Sequence, residues 1–170
     1  MNKKHAILIS IVGLLVITLC IFCVDKKSDI SVTTEEGVEI NIYSRDITEV
    51  NHENVDLFIQ LCKLDNIPYV NFNTQIEVRH QGKGLDSVEL YEYILKENGE
   101  RKYRKFKYEP INIKELEDKI VFLLQPNFMA LLSSNSEDYK PGRTYKGYRL
   151  VFIDGDKKKE HCFVLRTDAM

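Results

Sequence analysis

No tryptophan occurs among the 170 residues, and proline and cysteine each appear only four times. Without a buried Trp, and without two cysteines at the B–F spacing, a true antibody domain is excluded. Two of the cysteines, Cys20 and Cys23, fall in an apolar N-terminal run, leaving Cys62 and Cys162 for the rest of the chain. These are too few and too far apart for a structural zinc site. In an oxidising compartment they could close one disulfide around a loop of about 100 residues, and otherwise they are isolated thiols acting as small hydrophobes. The four histidines are as sparse. Only the neighbours His161 and Cys162 are close in sequence to a second soft ligand, and adjacent strand residues point to opposite faces. No G-x-S-x-G surrounds Ser133, Ser134 or Ser136, so nucleophilic catalysis has no signature here. The sequence therefore implies no catalytic residue, no metal and no cofactor. Asp154, Asp156 and Glu160 resemble part of a calcium loop, but Lys157, Lys158 and Lys159 stand where ligands would, and a hairpin turn accounts for the acids.

One long hydrophobic run is present. Residues 6–24 are uncharged throughout and follow Lys3 and Lys4. As a helix this run would span roughly 28 Å, close to the hydrocarbon thickness of a bilayer. We read residues 1–5 as a cytoplasmic N-terminus, 6–24 as a transmembrane anchor, 25–31 as a tether and 32–170 as one ectodomain. The N-terminal lysines favour an N-in, C-out orientation at the cell membrane. Residues 18–25 contain no Ala, Gly or Ser, which argues against a cleaved signal. Leu19 before Cys20 and Phe22 before Cys23 are bulky where a lipoprotein signal wants a small residue; lipidation at Cys20 is the alternative.

Beyond residue 24 the chain carries 26 acidic and 22 basic residues. A net charge near −4 demands neither nucleic acid nor an anionic membrane surface as partner. Val, Ile, Thr, Tyr and Phe recur in short runs between Gly, Pro and Asn turns, a composition that leans to strands. Period-two alternation predicts strands over 38–43 and 74–80, and a core strand over 119–125. Residues 55–63 fit both periods, and a strand is expected because Leu64-Asp65-Asn66 and Pro68 follow. Asn98-Gly99 predicts a hairpin joining 88–96 to 101–108. The first of these strands carries large apolar groups on both faces and is expected inside its sheet. Residues 127–134 read as a loop with a helical turn. A second hairpin joins 145–153 to 159–167 across Asp154-Gly155-Asp156. Short strands at this spacing predict an all-β fold, a two-sheet immunoglobulin-like sandwich.

Residues 128–142 (FMALLSSNSEDYKPG), then Gly147-Tyr148-Arg149 and Val164-Leu165-Arg166-Thr167-Asp168, resemble a segment shared by uncharacterised, N-terminally anchored proteins of Gram-positive bacteria. The resemblance covers about a quarter of the chain. It implies a surface-located domain and transfers no site residue. One segment could touch a partner: Arg101, Lys102, Tyr103, Arg104 and Lys105, continued by Phe106, Lys107 and Tyr108, interleave cations with rings. Such a strand could hold an anionic envelope polymer, and it could equally be a solvated edge whose lysines discourage pairing. The expectation is a membrane-anchored extracytoplasmic binding or scaffold module, partnered by an envelope polymer or an envelope protein. A cell-envelope hydrolase and a lipoprotein subunit of an envelope complex are the alternatives.

Overall fold

The computed structural model describes residues 30–81, 85–103 and 108–170. Two antiparallel sheets pack as a sandwich. The first sheet runs β2-β1-β4-β7-β6, with β1 Ile30–Thr34, β2 Glu39–Ile40, β4 Gln75–His80, β6 Lys114–Glu115 and β7 Lys119–Leu123. The second runs β3-β9-β8-β5, with β3 Ile42–Ile47, β5 Ser87–Leu95, β8 Thr144–Asp154 and β9 Lys157–Thr167. Between the sheets lies a core that includes Val32, Ile76, Val78, Leu90, Ile120 and Phe163, with Tyr148 and Phe163 stacked at 5.1 Å between centroids.

The expected strand over 38–43 is divided. Ile40 pairs with Val32 in the first sheet, whereas Ile42 pairs with Phe163 in the second, so the chain changes sheets at Asn41. The hairpin of β8 and β9 forms as its turn predicts. Asp154 faces Lys157, and Gly155 takes the positive φ that the two-residue connection requires.

Residues 55–63 are helical rather than extended: α1 covers Asp56–Cys62. Leu57, Phe58 and Leu61 are its buried residues, one stripe of a helix rather than alternate positions of a strand. The reason is tertiary. The second sheet carries apolar side chains on its outer face too, including Tyr93, Val151, Cys162 and Val164, and α1 packs over them as a third layer. No side chain caps α1 at Val55, but the Asn54 carboxamide oxygen accepts from the Asp56 amide at 3.0 Å, and Asp56 suits the positive end of the helix.

β5 also departs from expectation. Among the described strands it lies at the edge of its sheet, paired along nine positions with β8 alone. Both of its faces are apolar because one meets the first sheet and the other meets the α1 layer, not because it is interior. The Asn98-Gly99 turn is present, closed by a single Leu95–Arg101 bridge and by the Lys102 amide donating to the Ile94 carbonyl at 2.9 Å. Gly99 is obligatory here: its φ is +84°, and a Cβ would stand 2.5 Å from the Phe58 carbonyl oxygen of α1.

Among the described residues no helix is long and apolar enough to cross a membrane; the run over 6–24 lies outside them.

Candidate functional site

The inter-sheet face of the second sheet ends in a polar cluster. Glu92 on β5 stands opposite Tyr148 on β8, and Lys146 opposite Ile94. Alternation along both strands brings all four to the same face. Lys146 is fully buried, at 0% exposure. Its ammonium meets Glu92 Oε1 at 3.1 Å and the Gln125 carbonyl at 2.5 Å, and lies 5.5 Å from the centroid of the Phe72 ring. Loss of water pulls its pKa below the ordinary lysine range, against the pull of Glu92. Tyr148 donates to Glu92 Oε2 at 2.7 Å, and Asn127 Nδ2 donates to Oε1 at 2.6 Å. Burial, with the carboxylate beside it, holds the Tyr148 hydroxyl well above the usual phenol range.

Glu92 and Asn127 of this cluster, with the exposed Glu109, line a cavity of about 190 Å³ along the β5 edge. Tyr103, Tyr108 and Phe128 supply aromatic walls, and Ile94, Ile111 and Met129 supply aliphatic ones. The chain reaches the place by two local devices. The Ile111 amide donates to the Leu90 carbonyl at 2.8 Å, laying the 108–111 segment beside β5. Asn127 caps a 3-10 turn, Phe128–Leu132, by accepting from the Met129 amide at 2.9 Å. That turn leaves Phe128 68% exposed at the rim.

Tyr108 is fixed from behind. Its ring is 4.4 Å from that of Tyr93 and 5.5 Å from that of His52, centroid to centroid, with the Arg101 guanidinium 5.6 Å from its centre. His52 Nδ1 lies 2.6 Å from the Tyr93 hydroxyl. Burial and the nearby Arg149 lower the His52 pKa, favouring the neutral imidazole. Burial first, then the hydrogen bond to Glu89, pushes Tyr91 in the same ring cluster up to about 12.

The basic segment is neutralised where it is described. Arg101 is buried and paired with Glu53, and its Nη1 donates to the Tyr108 hydroxyl at 3.4 Å. Lys102 pairs with Asp138 at 2.6 Å in a separate polar cleft of about 420 Å³. Tyr103 reaches the apolar cavity. Arg104 and Lys105 lie outside the described residues. Cys62 and Cys162 are both free thiols, at the end of α1 and within β9, in the layer between α1 and the second sheet. Burial pushes them up to about 11 and about 12, so neither is a ready nucleophile.

A second buried charge cluster occupies the opposite face. Arg149 donates to the Asn51 carbonyl at 2.5 Å and to the Asn54 carbonyl, and its Nε lies 3.2 Å from Glu160, which also pairs with Arg45. It pins the 51–54 segment that presents His52. Glu160 is thereby committed to arginine, away from Asp154 and Asp156. Among the described residues no group of three or more His, Cys, Asp or Glu side chains is placed to hold a metal.

Sequence reasoning missed Glu92, Lys146 and Arg149. The available signal was a charged residue at an inward position of a strand otherwise apolar on that face. Compared with protein-family models, with curated proteins and with solved structures, the chain finds no match in any of the three.

Proposed function

We propose that this chain is a membrane-tethered, extracytoplasmic binding module, with residues 6–24 as its anchor and an immunoglobulin-like sandwich presenting the β5 cavity to a ligand of the cell envelope. One observation carries the reading: a ring-walled cavity opens beside the exposed Phe128, with Glu92 and Lys146 beneath it bound to one another and the exposed Glu109 adding a carboxylate to the lining. Such a combination of apolar walls and a few oriented polar groups is the ordinary make-up of a ligand pocket. The hydrolase alternative is less well supported. A general acid or base must reach a substrate proton; Lys146 is sealed from solvent, and Glu92, the floor carboxylate that does line the cavity, is held by Lys146, Asn127 and Tyr148.

Two measurements test this. Alkaline phosphatase fused after Met170, which is exposed whereas Thr167 and Ala169 are buried, should be active outside the cytoplasm. An active β-galactosidase at the same junction would reverse the orientation. The full chain in lipid nanodiscs should then be retained by washed cell envelope, and Phe128→Ala should weaken that retention several-fold. Equal retention of parent and variant would remove the cavity from the function.

A further inference from the structure

We infer that the β5 cavity takes a neutral sugar ring of a glycan, a deepening that rests on the binding reading above. The floor has hydrogen-bond capacity left over. An ionised carboxylate has about four acceptor sites. Glu92 uses three, two at Oε1 for Lys146 and Asn127 and one at Oε2 for Tyr148. Asn127 has two amide N–H donors and spends one on Glu92, while one of its oxygen's two lone pairs accepts from the Met129 amide. Among the described residues, what remains is one acceptor site on Glu92 and, on Asn127 beside it, one N–H donor and the second lone pair of its oxygen.

A hydroxyl satisfies both, donating to the carboxylate and accepting from the amide. An ammonium can only donate, so it would leave the Asn127 N–H without an acceptor. Lys146 already neutralises Glu92, and the other carboxylate of the lining, Glu109, is exposed to water, where an ion pair is worth little. A carboxylate or phosphate can only accept, so it would leave the remaining Glu92 acceptor without a donor, and it would meet the Glu109 carboxylate of the lining with like charge. The walls set the second condition. Rings at Tyr103, Tyr108 and Phe128 want an apolar face, and the cavity of about 190 Å³ is ring-sized, since a cavity near 150 Å³ holds benzene. A pyranose combines both features, with C–H groups on its faces and hydroxyls around its rim. Phe128, at 68% exposure, leaves room for the chain to continue past one bound unit.

The test uses the full chain in nanodiscs free of choline lipids. Saturation-transfer NMR and titration calorimetry are run with an N-acetylglucosamine tetramer, a maltotetraose and choline chloride, each up to about 10 mM, since one shallow site of this kind suits millimolar affinity. At least one oligosaccharide should receive saturation from the aromatic protons. Phe128→Ala should weaken it about fivefold to tenfold, the usual worth of one aromatic contact, and Phe128→Tyr should restore it. Binding of choline without either sugar, or of none of the probes, overturns the glycan assignment. If envelope retention still depends on Phe128 in that event, the binding reading stands and only the ligand class is wrong. If retention is also indifferent to Phe128, both fail.

Discussion

Arg149 and Lys146 stand three residues apart on β8, on opposite faces of one sheet, and both are closed off from water. Their surroundings differ. The guanidinium of Arg149 is held by two backbone carbonyls and a buried carboxylate, and its flat face also lies 5.3 Å from the Tyr93 ring centre. Lys146 has one carboxylate, one carbonyl and one ring, and its carboxylate borders a cavity. A rigid fork serves several fixed acceptors at once, whereas an ammonium is a point charge that follows its partner. The α1 side of the sheet therefore uses its charge to staple a loop, and the inter-sheet side uses its charge to furnish a pocket floor.

The largest expected effect separates the two. Arg149→Met would strand Glu160 beside Arg45 and leave the Asn51 and Asn54 carbonyls without their donors. It should cost about 3–5 kcal/mol, as breaking a buried ion pair does, read as a fall in urea midpoint. Arg149→Lys should recover only the smaller part. A variant as stable as the parent would erase the distinction between the faces.

Acid should act next, through the inter-sheet face. His161 is 2% exposed, with Nδ1 bonded to Ser44 at 2.7 Å and its ring 4.8 Å from that of Phe152. Burial, and then the Lys159 and His80 charges, lower its pKa from 6.5 to about 4. The unfolded chain thus binds the proton first, so stability is complete above about pH 6.5 and declines as pH falls toward 4. At about 1.4 kcal/mol per pH unit the loss approaches about 3 kcal/mol. Denaturant melts from pH 7 to 4 should show this slope, and His161→Gln should flatten it.

A smaller effect is expected at the pocket floor. Lys146→Met leaves Glu92 with Asn127, Tyr148 and access to the cavity, and should cost about 2 kcal/mol, less than a fully sealed partner would. Adding Glu92→Gln should return most of it, an interaction that a double-mutant cycle measures directly. The smallest effect is at the rim: Phe128→Ala should change stability by no more than about 0.5 kcal/mol, since the ring is largely exposed. A large destabilisation there would make the turn structural rather than a ligand contact.

How far the sequence discloses this design depends on whether the cause is local. The β8–β9 hairpin was legible because Asp154-Gly155 dictates its own turn. So was the 3-10 turn over Phe128–Leu132, within the segment read as a loop with a helical turn. Residues 55–63 were not, since nine residues satisfy both periods and the choice is made by the apolar outer face of a sheet whose strands come from far along the chain. β5 misled for the same reason: large side chains on both faces report two covering layers, and nothing in that pattern reports the edge. The floor of the cavity was illegible because Glu92, Asn127 and Lys146 converge across more than fifty residues of sequence.

The change of sheet at Asn41 has a mechanical consequence. Any tension entering the domain through its N-terminal end is delivered to β1, which is zipped to β4 along five register positions from Ile30–His80 to Thr34–Ile76. If those give way, the hairpin passes the load through β2 to Asn41 and straight into β3, which is paired with β9 over six positions. The two sheets are thus in series, one residue apart. A chain pulled from that end meets two successive ladders, and its lifetime under force is set by how slowly they part rather than by its resting stability.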